Sequence, residues 1–213
     1  MLIKNNQPGK PKPVYPNDSS HVLELVAHFG VVQVMSPPRT PEEFVTFMAS
    51  LGALMFTEGE TPVPGQPLLN IVTNVNRRTK PKSVFHSDTS YVARPPSVSG
   101  LMAIDVPEAG GATIFSNQYA ALDAIDSDLK RLLTGAEVLH TATGVPNSQS
   151  AWHPLIRFNP VCGRNSLFLS SIERCKKLRL ADGTDRTDLL EGCLLYTSPS
   201  PRDATLYRMP SSA

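Results

Sequence analysis

Two side chains with metal-binding chemistry stand one residue apart in this chain: His86 and Asp88, with Ser87 between them. Read as a strand, the triplet sends His86 and Asp88 to one face, because successive side chains of a strand alternate. An imidazole and a carboxylate aimed at one point are two corners of the 2-His-1-carboxylate triad that holds non-haem Fe(II). The pair alone is a weak signal, since a strand-end histidine beside an aspartate that caps a loop has the same spelling. The third corner has to come from a histidine far along the chain. The other histidines are His21, His28, His140 and His153, and none follows His153.

Several short elements are expected to position this pair. Thr40-Pro41-Glu42-Glu43 opens a helix, with Thr40 as N-cap, Pro41 in the first turn and acids at the positive end of the dipole. Phe44, Phe47 and Met48 recur at helical spacing, and Gly52 ends it. Leu68 to Val75 reads as a buried strand, Ser83 to Asp88 as a strand or strand end, Val98 to Val106 as a third strand and Ala112 to Phe115 as a short fourth. Asn117 to Ile125 and Ser127 to Leu133 read as two short helices, with Gly135 as a stop signal. Ala136 to His140 and Leu155 to Phe158 are further strands. Asn159 to Gly163 is turn chemistry, and Ser166 to Leu169 is the return strand of that hairpin. Residues 7 to 18, with four prolines, read as irregular. The expected fold class is α+β, mainly β: a partial double-stranded β-helix (jelly-roll, cupin-like) core with flanking helices.

Composition narrows the partners. The chain has 213 residues, 40% of them hydrophobic, which is enough for one domain with a real core. A net charge of +1 points to neither nucleic acid nor a membrane surface. The start turns polar at once and lacks a secretory apolar run. Three scattered cysteines, Cys162, Cys175 and Cys193, make no disulfide framework and suggest a reducing, cytoplasmic compartment.

Further blocks surround the metal pair. Phe85-His86-Ser87-Asp88-Thr89-Ser90-Tyr91 is followed by Pro95-Pro96 and then by Val106-Pro107-Glu108-Ala109-Gly110-Gly111-Ala112-Thr113-Ile114-Phe115. After the helix at Asn117 to Ile125 comes His153-Pro154-Leu155-Ile156-Arg157 with Asn159-Pro160 and Gly163. In this order the blocks closely resemble the TauD/TfdA family of Fe(II)/2-oxoglutarate-dependent dioxygenases. The likeness runs from about residue 40 to about residue 175. Upstream, Ile71 to Val75 is similar to the strand before the metal motif in the TfdA-like branch. The resemblance implies His86 and Asp88 as iron ligands, Thr113 as a hydrogen-bond partner of a 2-oxoglutarate carboxylate, and Thr89, Tyr91 and Asn74 near the substrate. It implies Fe(II) as cofactor, 2-oxoglutarate as co-substrate, and O₂ and a small organic acid, such as a sulfonate or aryloxyacetate, as reactants. A homo-oligomer is compatible with it.

The same resemblance requires a distal histidine and, a short way beyond, an arginine whose fork clamps the far carboxylate of 2-oxoglutarate. Neither is found: His140 and His153 do not match the distal ligand, and Arg157, Arg174, Arg179 and Arg186 do not match the clamp. The end of the chain offers a reason. Cys193 to Asp203 and Arg208 to Ala213 resemble, in that order, the two ends of a translated transposase-type sequencing adapter. The expected organisation is therefore an irregular segment over 1–39, an incomplete dioxygenase domain over 40–192 and a non-native tail over 193–213. The chain as written is expected to be inactive. Two other readings compete. One is a different cupin-type metal enzyme in which His140 or His153 completes the triad. The other is a non-catalytic β-sandwich binding module. A serine hydrolase is poorly supported, because no G-x-S-x-G elbow is present.

Overall fold

The computed structural model describes residues 12–14, 19–55, 61–72, 84–105, 113–143 and 148–197. In chain order it runs β1 (Lys12–Val14), α1 (Ser19–Phe29), β2 (Val32–Val34), α2 (Pro41–Leu51), β3 (Pro62–Val63) and β4 (Gln66–Asn70). Then follow α3 (Gln118–Ala124), α4 (Ser127–Leu132), β5 (Glu137–Thr141), β6 (Ser150–Pro154), β7 (Ile156–Asn159), β8 (Arg164–Leu167), β9 (Cys175–Arg179), a 3₁₀ turn (Thr187–Leu189) and α5 (Leu190–Thr197). The fold is a mixture of helices and short strands. The segment read as irregular over 1–39 carries α1 and the parallel pair β1–β2.

The helices start where their capping residues require. Thr40 takes extended backbone angles and its hydroxyl accepts the Glu43 amide at 3.2 Å, while Glu43 reaches back to the Arg39 amide at 2.7 Å. These bonds satisfy amides that the first turn leaves without partners. Asn117 caps α3 by accepting the amides of Tyr119 and Ala120, and Asp126 caps α4 by accepting that of Asp128 at 2.8 Å.

The core gathers around β5, the central strand of the β6-β5-β9 sheet. Its alternation turns Val138 and His140 inward, where both have no exposed surface. Val138 stands opposite His153 of β6 and Leu178 of β9, and His140 opposite Ala151 and Cys175. Leu133, Leu155, Leu167, Leu178 and Leu190 close the cluster with Ala121 and Leu122 of α3. Leu155, between β6 and β7, donates its amide to Ala136 O at 2.9 Å and so carries the chain from the sheet into the β7–β8 hairpin. That hairpin turns at Gly163, whose φ of +67° suits glycine alone.

Four expected strands differ. The run at 68–75 is strand only as far as Asn70; Val72 lies 71% exposed and 73–75 fall outside the described residues. Residues 84–91 are irregular chain and turn, with Thr89 at φ +49°, a left-handed angle that no strand accommodates. Residues 98–105 and 113–115 are likewise not strands. The physical reason is that, among the described residues, these runs have no strand partner. Leu101 and Ile104 stand 68% and 77% exposed, and an apolar run becomes a strand only when a neighbour takes its hydrogen bonds. The return strand of the hairpin spans Arg164–Leu167, and Leu169 and Ser170 turn away from it toward Ser87.

Helix α5 continues past Gly192, where the fold was expected to end. Cys193 and Thr197 are buried, Cys193 within the core cluster, and Ser116 donates to Thr197 O at 2.5 Å. Cys193, Leu194 and Tyr196 are apolar enough to cover the open side of the core whatever their origin. Residues 198–213 lie outside the described residues. No helix among the described residues is long and apolar enough to cross a membrane.

Candidate metal centre

His86 and Asp88 meet although they lie on no strand. His86 Nε2 is 3.2 Å from Asp88 Oδ1, and the side chains keep 31% and 60% of their accessible surface. Two adjacent ligands at about 2.1 Å from one octahedral ion would stand about 3 Å apart, so these donor atoms are spaced for a shared ion. The second ring nitrogen is engaged, because His86 Nδ1 lies 2.9 Å from Val84 O. A backbone carbonyl can only accept, which assigns the proton to Nδ1 and turns the Nε2 lone pair toward the carboxylate. A lone pair facing a carboxylate needs a positive centre between them, either a proton or a metal ion. In the metal-free chain the hydrogen bond to Asp88 raises the His86 pKa above its ordinary value. The same bond to His86 lowers that of Asp88. Ser99 Oγ lies 3.4 Å from the other carboxylate oxygen.

The elements around the pair explain how an irregular segment holds this geometry. Ser87 is bound through its amide, carbonyl and hydroxyl to the segment between β8 and β9. On the other side α2 presses close. A Cβ on Gly100, next to Ser99, would come 2.5 Å from Met48 Sδ and 3.1 Å from Phe44 Cζ. Helix and site segment therefore touch through a position with no side chain.

The other expected site residues divide. Thr89 is buried, at a left-handed backbone position one residue after Asp88, and Tyr91 is half-buried with the Arg174 guanidinium 5.4 Å from its ring centre. Thr113 is exposed on a non-strand segment, and Asn74 lies outside the described residues. His153 donates from Nε2 to Val92 O, 3.0 Å away, which makes it a support of the site segment. His140 is fully buried between His153 and Phe168, and among the described residues neither ring nitrogen makes a well-formed hydrogen bond, the Phe168 backbone being its polar neighbour. Burial pulls its pKa down to about 4, with His153 adding to the shift. Among the described residues no three His, Cys, Asp or Glu side chains converge, so neither His140 nor His153 completes a triad with His86 and Asp88. Sequence spacing missed Ser170 and Arg174, which reach Ser87, the residue between the pair, from more than 80 residues away and carry no local signature.

A family model described as "Taurine catabolism dioxygenase TauD, TfdA family" matches residues 9–190. The chain belongs to this family. A putative alpha-ketoglutarate-dependent sulfonate dioxygenase of Schizosaccharomyces pombe is 34% identical over 102 residues, 40% of this chain and 25% of that protein. Pentalenolactone F synthase of Streptomyces arenae is 27% identical over 218 residues, covering 84% of this chain and 72% of that protein. The fold is similar to that of a taurine dioxygenase from Burkholderia xenovorans (TM-score 0.72, 20% identity, 91% of this chain and 72% of that one). The chain thus spans a quarter of the length of the first relative and under three quarters of the other two. Such family membership implies 2-oxoglutarate and a metal ion.

Proposed function

We propose that this chain derives from an Fe(II)- and 2-oxoglutarate-dependent dioxygenase built on a partial double-stranded β-helix. Its substrate is a small anionic organic molecule of the sulfonate or aryloxyacetate type. The observation that carries the reading is the 3.2 Å approach of His86 Nε2 to Asp88 Oδ1, with Nδ1 fixed by Val84, inside a chain that matches the family over 9–190. Bound by these two donors, ferrous iron would supply activation of O₂, coupled to loss of CO₂ from 2-oxoglutarate to give succinate and a hydroxylated substrate. His86 contributes a neutral nitrogen and Asp88 a negative charge. Thr89 and Tyr91 would border the substrate, with Asn74 a weaker candidate, and Thr113 would hold a carboxylate of the co-substrate. The protein would act in the cytoplasm.

No histidine comes after His153 to serve as the distal ligand. Residues 193–213 we read as foreign to the parent protein, even though 193–197 cover the core. The experiment is Mn(II) binding by this chain and by His86→Ala and Asp88→Ala. Each substitution is expected to abolish it, and unchanged binding in either would overturn the assignment. For the substrate class, the parent protein, read from the uninterrupted genomic frame beyond codon 192, would be offered taurine and an aryloxyacetate while succinate is measured.

A further inference from the structure

An irregular segment carries no ladder of strand hydrogen bonds, so the mutual placement of His86 and Asp88 has to be imposed from outside. The imposition falls on the residue between them. The Ser87 amide donates to Ser170 Oγ at 3.2 Å, and the Ser170 hydroxyl donates to the Ser87 carbonyl at 3.3 Å. One oxygen thereby engages both backbone groups of a single residue. Rotation about either backbone dihedral of Ser87 would break one of the two bonds, and those dihedrals set the angle between the flanking side chains. The Ser87 hydroxyl adds a bond to Leu169 O at 2.8 Å, and Arg174 Nη1 stands 3.4 Å from Ser87 O.

Ser170 is itself held. It is 3% exposed, and its amide donates to Cys175 Sγ at 3.3 Å. Cys175 is the first residue of β9, buried, and pairs with His140 of the central strand. A continuous path thus runs from the rigid sheet through Cys175 and Ser170 to Ser87. Pairs of neutral hydroxyl bonds that served stability alone would be equally useful anywhere on this segment. These meet at the one residue flanked by both donors.

We propose that Ser170 is a positioning residue of the His86–Asp88 metal site, fixing the Ser87 backbone so that the imidazole and carboxylate keep a spacing suited to one divalent ion. The inference rests on the metal-site reading given above. Residues that orient metal ligands in this way typically change affinity about 10–100-fold when removed.

The test is a Mn(II) titration of the whole ¹⁵N-labelled chain, followed by paramagnetic broadening of the amide signals of residues 86–88. Ser170→Ala is expected to raise the Mn(II) concentration for half-broadening at least about tenfold. Ser87→Ala, which removes only the bond to Leu169 O, should shift it less in the same direction. Thr187→Ala, which loses a comparable bond to the Leu178 amide far from the site, should leave it unchanged. Signals of β5 and β9 report in the same spectra that each variant is folded. Equal half-broadening in Ser170→Ala and the unsubstituted chain, with His86→Ala abolishing the effect, overturns the positioning role and leaves the metal site standing. No localised broadening in the unsubstituted chain overturns both.

Discussion

A proton and a metal ion compete for the place between His86 Nε2 and Asp88 Oδ1. The carboxylate raises the His86 pKa and is itself lowered, so on acidification the imidazole takes up its proton first. Metal binding must displace that proton. Mn(II) affinity is therefore expected to rise with pH through the His86 pKa and level off above it; a flat profile from acid to neutral would contradict the ligand role. The sign for the metal-free fold is opposite. A raised folded-state pKa stabilises at pH below the unfolded value and loses that contribution as pH rises through the folded one, a small effect for so exposed a pair. His140 behaves the other way. Its folded pKa is about 4 against an ordinary 6.5, with His153, Arg157 and Arg174 as the neighbouring cations and Phe168 stacked on its ring. Between those values the unfolded chain holds the extra proton, so stability falls by about 3 kcal/mol as pH drops from 6.5 to 4. Denaturant melts across that range should show the slope, and His140→Leu should flatten it.

At the scale of elements, caps and turns decide where the chain changes course. Asn117 satisfies two amides at the start of α3, whose Ala121 and Leu122 lie in the core. Asn117→Ala is expected to cost about 1 kcal/mol in urea melts. Gly135 leads from α4 into β5 at φ +76°, and a Cβ there would sit 3.0 Å from Ala181 Cβ. Gly135→Ala combines left-handed strain with that contact and should destabilise by roughly 1–2 kcal/mol. A smaller loss than Asn117→Ala would show that the turn relaxes freely. The helix at Pro41–Leu51 and the hairpin around Gly163 were legible because caps and turn residues act within a few positions. The runs at 98–105 and 113–115 were not, because a strand is a property of two segments and their apolar patterns have no partner among the described residues.

For the molecule as a whole, that no third ligand joins His86 and Asp88 among the described residues matters more than any element. Three protein donors hold iron and orient the remaining coordination positions, whereas two bind weakly and leave orientation open. The purified chain of 213 residues is expected to form no succinate from 2-oxoglutarate with Fe(II) and O₂. Turnover dependent on both would show that the site completes itself from residues other than a distal histidine. The exposed Leu101, Ile104 and Phe158 add a second expectation: apolar surface of this kind favours association, which concentration-dependent sedimentation would detect.

By itself the sequence pointed to the family, offered His86 and Asp88 as the metal donors and marked where α2, α3, α4 and the β7–β8 hairpin lie. Each of these depends on neighbours in the chain or on ordered motifs along it. Only the tertiary structure decided that the donors sit on an irregular segment and that a serine 83 residues away engages the backbone between them. It also decided that His140 is a buried core residue that does not converge on His86 and Asp88 among the described residues. Contacts between distant segments are set by which surfaces the whole chain must bury together, and no local spacing encodes that.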